Sequence, residues 1–155
     1  MKGVLISIQR PHTDNIRALI KTIEVRKGVP KLERPFPVFI YETKSKGGCG
    51  KVIGEFNCRG IMDGGSPLLL KQSCLTLEEL WNYAKGKRVY GWRIADLKLY
   101  DKPKELSDFG NLCRKDCLRL GKGKSCEFLS MDGTPCNRII PITRPPQSWC
   151  YVEVE

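Results

Sequence analysis

Hydrophobic and polar positions alternate with a period of two along most of the chain and follow a helical period in two places. Over residues 3–9, Val4, Ile6 and Ile8 fall on one side and Leu5 and Ser7 on the other, which predicts a strand. Pro11 suits the first turn of a helix, and Thr13 or Asp14 stands where a cap is wanted. Ile16, Leu19 and Ile20 then share one helical face, with the helix ending near Lys21. Alternation resumes over residues 22–26. Ile23 and Val25 point one way, while Thr22, Glu24 and Arg26 form a polar row on the other.

Pro30 and Pro35 bound a loop rich in Lys and Arg, and residues 37–43 read as a strand. Residues 44–50, with Gly47-Gly48, make a turn before a strand at 51–58. Thr76 and Glu79 form a capping-box pattern that opens a second helix, which stops at Gly86. Residues 88–100 read as a strand pair or one bent strand, with Gly91 as a bulge. A Pro-containing connection follows to residue 109, and residues 141–146 and 148–154 are extended, the latter a closing strand. There are no internal repeats and no βαβ alternation. The pattern predicts one domain over 1–155 of the α+β class. Its expected form is a small mixed, mostly antiparallel β-barrel with two or more flanking helices and a Cys-rich, Lys-rich insertion at about 110–138.

Composition adjusts this picture in three ways. Hydrophobic residues at 41% and charged residues at 28% match a globular domain of 155 residues and exclude a disordered chain. No apolar run approaches the roughly eighteen residues that span a bilayer, and the N-terminus enters a strand without a secretory signal, so a cytoplasmic, non-membrane protein is expected. The net charge of +10 favours a polyanionic partner, above all nucleic acid, with an acidic protein partner as the alternative. The charge is uneven: residues 21–60 carry nine basic and four acidic side chains, and residues 61–110 eight and seven.

Several side chains are candidates for chemistry. Glu24 and Arg26 lie two apart on one strand and point the same way, so they can pair. Such a pair at a cleft can position a phosphate or a base edge, or can be a structural ion pair. Tyr41, Trp92, Trp149 and Tyr151 sit on predicted strands. An unpaired base could stack on Trp92 or Trp149 with Arg93 or Arg144 on phosphate, although a Trp in a small barrel commonly belongs to the core. Cys113, Cys117, Cys126 and Cys136 form C-x3-C-x8-C-x9-C within the irregular insertion. Four thiolates can hold a structural zinc ion there, or they can stand as unpaired thiols. His12 is the only histidine and has no evident Cys to activate, which speaks against a thiol hydrolase. Phosphate-loop, dinucleotide and His-Glu-x-x-His signatures are missing.

The segments Lys21-Thr22-Ile23-Glu24-Val25-Arg26, Lys51-Val52-Ile53-Gly54-Glu55-Phe56, Tyr90-Gly91-Trp92-Arg93-Ile94 and the ending from Ile142 to Glu153 resemble ASCH domains of the PUA-like superfamily. Together with residues 100–106, they are similar to a subgroup common in bacterial and prophage genomes. The resemblance spans 1–109 and 139–155. It implies a five- or six-stranded barrel with a cleft beside the 21–26 strand, and RNA binding at that cleft. Some relatives are amidohydrolases that use a Lys, a Thr three residues later and a Glu before the second helix. Lys21 matches the first, but Glu24 stands at the second and Gln72-Ser73-Cys74 precede the helix. Three readings follow. One is an RNA-binding module using a basic cleft with Lys21, Glu24 and Arg26. Another is a small hydrolase or nuclease on RNA or modified nucleosides, with Lys21 and Glu24 as acid–base groups. The third is a phage or mobile-element protein-interaction factor.

Overall fold

The fold follows from which strands can bury both faces. The computed structural model describes residues 2–112 and 139–153. Six strands form one curled half-barrel sheet: β1 (Lys2–Ile8), β2 (Ile23–Arg26), β3 (Phe36–Glu42), β4 (Lys51–Asp63), β5 (Tyr90–Lys104) and β8 (Trp149–Glu153). Their order is β2-β5-β4-β3-β1-β8. β1 and β3 run parallel, and every other neighbouring pair is antiparallel, so the sheet is mixed and mostly antiparallel as the patterning predicts. Two short strands, β6 (Gly110–Leu112) and β7 (Ile139–Pro141), pair separately. Three helices accompany the sheet among the described residues: α1 (Arg10–Arg17), α2 (Leu68–Ser73) and α3 (Leu77–Ala84).

The two-residue period sorts the core. Val4, Ile6 and Ile8 on β1 join Val38, Ile40, Phe56 and Trp92 in the main cluster. The alternate residues Leu5, Phe39, Tyr41 and Val52 pack with Phe109 and Val152 on the other face. Burial of both faces explains why the middle of β1, Val4–Ile6, and of β3, Val38–Tyr41, is apolar on both sides. Ile23 and Val25 turn to a third cluster with Met62, Leu69 and Val89 beneath α2 and α3.

Several boundaries differ from the sequence expectation. α1 starts at Arg10 with Gln9 as its cap residue and no side-chain cap; Thr13 is buried and bonded elsewhere. The helix ends at Arg17, and Leu19 takes a left-handed conformation at φ 59°, which turns the chain before Lys21. The expected bulge at Gly91 is regular ladder: Gly91 pairs with both Val25 and Met62. The register shifts lie in the β4–β5 ladder instead, between Val52 and Gly54, Glu55 and Asn57, and Cys58 and Ile61. α2 has no counterpart in the pattern reading, because its run Leu68-Leu69-Leu70 is too short to show a period. α3 begins with the predicted capping box, Thr76 accepting from the Glu79 amide and Glu79 from the Thr76 amide. No helix among the described residues is long and apolar enough to cross a membrane.

Candidate nucleic-acid interface

β2 occupies one edge of the sheet, and its polar row opens onto a cleft of about 570 Å³. The side chains there are placed by three separate elements. α1 contributes His12 from its first turn, and α3 contributes Glu79 and Tyr83, one turn apart. Pro145, Pro146 and Gln147 form the remaining wall, which is drawn onto β1 by Ser7 Oγ donating to the Pro146 carbonyl at 2.6 Å.

The floor is a buried ionic triad. Arg26 Nη2 lies 2.9 Å from Glu24 Oε1 and donates to the Ser7 carbonyl at 2.7 Å. Lys21 Nζ donates to the Ser73 carbonyl at 2.7 Å, and stands 3.2 Å from Glu24 Oε2 without the orientation of a hydrogen bond. Lys21 is 3%, Glu24 5% and Arg26 8% exposed. Burial alone would raise the Glu24 carboxyl, but the charges of Arg26 and then Lys21 outweigh it and hold the group below its ordinary value. The triad therefore carries two positive charges against one negative where little of it meets water. Lys21 and Arg26 face Glu24 and Glu79, so the cleft expected to be basic is balanced over its whole lining and positive only at its floor.

Three enclosed polar atoms have no hydrogen-bond partner among the described residues: Glu24 Oε2, Arg26 Nε and His12 Nδ1. All three belong to residues lining this one cleft. Buried polar atoms in folded proteins are nearly always paired, and each exception calls for an explanation such as a bound water, ion or ligand. Arg26 uses one nitrogen of its fork on Glu24 and Ser7 and keeps the Nε donor free.

The other candidates disperse. Trp92 is fully buried in the core, its Nε1 donating to the Gly28 carbonyl at 3.1 Å, so it offers no face to a base. Tyr41 is buried on the opposite face of the sheet with Leu5 and Phe39. Trp149 is half-buried, edge-on to Trp92 at 5.7 Å and to Tyr151 at 5.4 Å, and does not line the cleft. Arg93 and Arg144 are exposed. Arg144 directly precedes the Pro145–Pro146 wall, whereas Arg93 is not among the lining residues. Cys113, Cys117, Cys126 and Cys136, the candidate zinc ligands, lie outside the described residues. Sequence reasoning missed His12, Glu79 and Tyr83 as members of the site. Glu79 and Tyr83 were legible as a helical pair, but nothing in the sequence aims that face at β2.

Three solved structures share this fold, all of ASCH from Zymomonas mobilis, two of them single-residue variants. They superpose with a TM-score of 0.63 at 18–19% identity, over 97–99% of this chain and 87–91% of theirs. No family model matches the chain, and no curated protein matches it in sequence.

Proposed function

We propose that the protein binds RNA, taking one unpaired base into the cleft between β2, α1 and α3 while the phosphate chain runs over the basic surface outside. The observation that supports this is the set of free atoms on Glu24, Arg26 and His12 in a single cleft. A phosphate brings only acceptors and is repelled by Glu24. A base edge brings a donor beside an acceptor, the complement of a carboxylate oxygen next to a guanidinium N–H. Tyr83 on the wall supplies a ring beside the entering base.

Fluorescence anisotropy with labelled single-stranded RNA, matched DNA and duplexes over a salt series tests the reading. Single-stranded RNA should bind best, with affinity falling as salt rises, and Arg26→Ala should weaken it at every salt by about 1–3 kcal/mol. Absence of binding at low salt overturns the proposal and leaves a protein partner as the better reading.

A second reading, a small hydrolase acting on RNA or a modified nucleoside, draws support from His12 standing in the same cleft as Lys21 and Glu24. It requires turnover of RNA or an acylated nucleoside that disappears in both Lys21→Ala and Glu24→Ala while the fold persists.

A further inference from the structure

We propose that His12 is a specificity-determining contact of this cleft, its ring accepting at Nδ1 a hydrogen bond from the amino group of an unpaired base. The inference rests on the RNA-binding reading and extends it to the class of base. It begins with what the cleft leaves unpaired. Glu24 Oε2 is an acceptor, Arg26 Nε is a donor, and His12 Nδ1 is enclosed without a partner. With a neutral ring protonated on its other nitrogen, the cleft offers two acceptors and one donor. A base with an exocyclic amino group beside a ring acceptor, as in adenine or cytosine, supplies two N–H donors and one acceptor. Uracil has a single N–H between two carbonyls, so it leaves one enclosed acceptor unpaired.

His12 is held in place. The next residue, Thr13, is buried and donates to Glu42 Oε1 at 2.6 Å, and Arg17 Nη1 reaches the same oxygen at 2.9 Å. Two turns of α1 are thereby pinned to the end of β3, which fixes the backbone that carries His12 at the cleft wall.

The charge state suits an acceptor. Burial, then the Lys21 ammonium, lowers the imidazole below its ordinary value, with Lys46 of the 45–47 turn adding to the effect. Glu24 on β2 and Glu79 on α3 oppose it. The ring is therefore neutral at neutral pH. Protonation on acidification turns Nδ1 into a donor and removes the acceptor. Affinity for amino-bearing bases then falls, the reverse of the general trend, since added positive charge strengthens polyanion binding.

The test uses the full chain and short labelled oligomers of adenylate, cytidylate and uridylate RNA at about pH 7.5 and about pH 5.5. His12→Asn keeps a non-titrating acceptor near the Nδ1 position, and His12→Phe keeps the ring without one. The wild type should bind the adenylate and cytidylate oligomers about tenfold tighter than uridylate at the higher pH, and the preference should be no larger at the lower. His12→Asn should hold the preference at both, and His12→Phe should lack it at both while binding uridylate like the wild type. If the His12→Phe protein keeps the preference, or the wild type shows none at either pH, the assignment of His12 is wrong and the RNA-binding reading stands. If the wild type binds none of the three oligomers, both fall together.

Discussion

Glu24 stands directly opposite Trp92 in the β2–β5 ladder, so the carboxylate of the cleft lies beside an indole that the core encloses completely. The indole meets Phe36 edge-on at 5.9 Å and Trp149 at 5.7 Å, and its N–H anchors the loop after β2 at Gly28. Trp92 is thus the base on which the ionic floor is built, and its effect on binding is indirect.

That placement separates stability from binding. Trp92→Ala should cost ~3–5 kcal/mol in urea unfolding, because it empties a filled site in the core. Trp92→Phe should cost less and leave a folded protein whose RNA affinity lies within about twofold of wild type. A Trp92→Phe protein of native stability that loses most of its RNA affinity would show that the indole touches the ligand after all.

The triad around Glu24 should respond asymmetrically to truncation. Glu24→Ala leaves Lys21 and Arg26 facing each other, buried, with only the Ser73 and Ser7 carbonyls to hold them. Removing one partner of such a set costs ~3–5 kcal/mol. Replacing Lys21 by Met removes a charge together with its desolvation cost, leaves the Glu24–Arg26 pair intact, and should cost less. Urea titrations of the two variants at neutral pH decide the point. Equal losses would mean that removing the carboxylate costs the triad no more than removing the ammonium.

The fold was more legible than the site, and the residues show why. Period-two alternation in β1 and β2 assigned Val4, Ile6 and Ile8 to one face and Glu24 with Arg26 to another, because strand periodicity is local. The capping box of α3 was equally local. The cleft is assembled from β2, α1, α3 and the Pro145–Gln147 segment, residues up to about 135 positions apart in the chain, and no local pattern encodes that meeting. His12 was readable only as a residue at a helix start. Arg26 emerged because it shares a strand with Glu24, whereas the aromatic candidates failed because alternation does not tell a concave core face from a ligand face.

Gly91 carries a different requirement from the bulge its position suggested. A Cβ there would sit 2.7 Å from Ile23 Cγ2 and from Leu69 Cδ1, and 3.3 Å from Met62 Cβ. The residue is small because β5 passes beneath α2 at close range. Gly91→Ala should therefore cost ~1–3 kcal/mol by overpacking, measured by thermal or urea unfolding. Adding Leu69→Ala should cancel part of the clash, so the double variant should be less destabilised than the two single losses combined. Strict additivity would place the strain elsewhere.

The pH dependence of stability should trace to Glu42. Its carboxylate is buried at the end of β3. Burial alone would raise it, but hydrogen bonds from Thr13 Oγ, from the Cys49 amide at 2.9 Å and from Arg17 outweigh that and bring it down to about 2, against 4.5 for a free carboxyl. A folded-state value below the unfolded one means that the unfolded chain takes up the proton first. The stabilisation is therefore complete above about 4.5 and is lost as pH falls from there toward 2. The separation corresponds to ~3 kcal/mol at neutral pH. Chemical unfolding of wild type and Glu42→Gln from neutral pH to about pH 2 isolates this contribution, since other titrating groups are common to both. The gap between the two curves should be widest at neutral pH and should close on the acid side. Parallel curves over the whole range would remove Glu42 from the account. They would also loosen the attachment of α1, and with it the fixed position of His12 in the cleft.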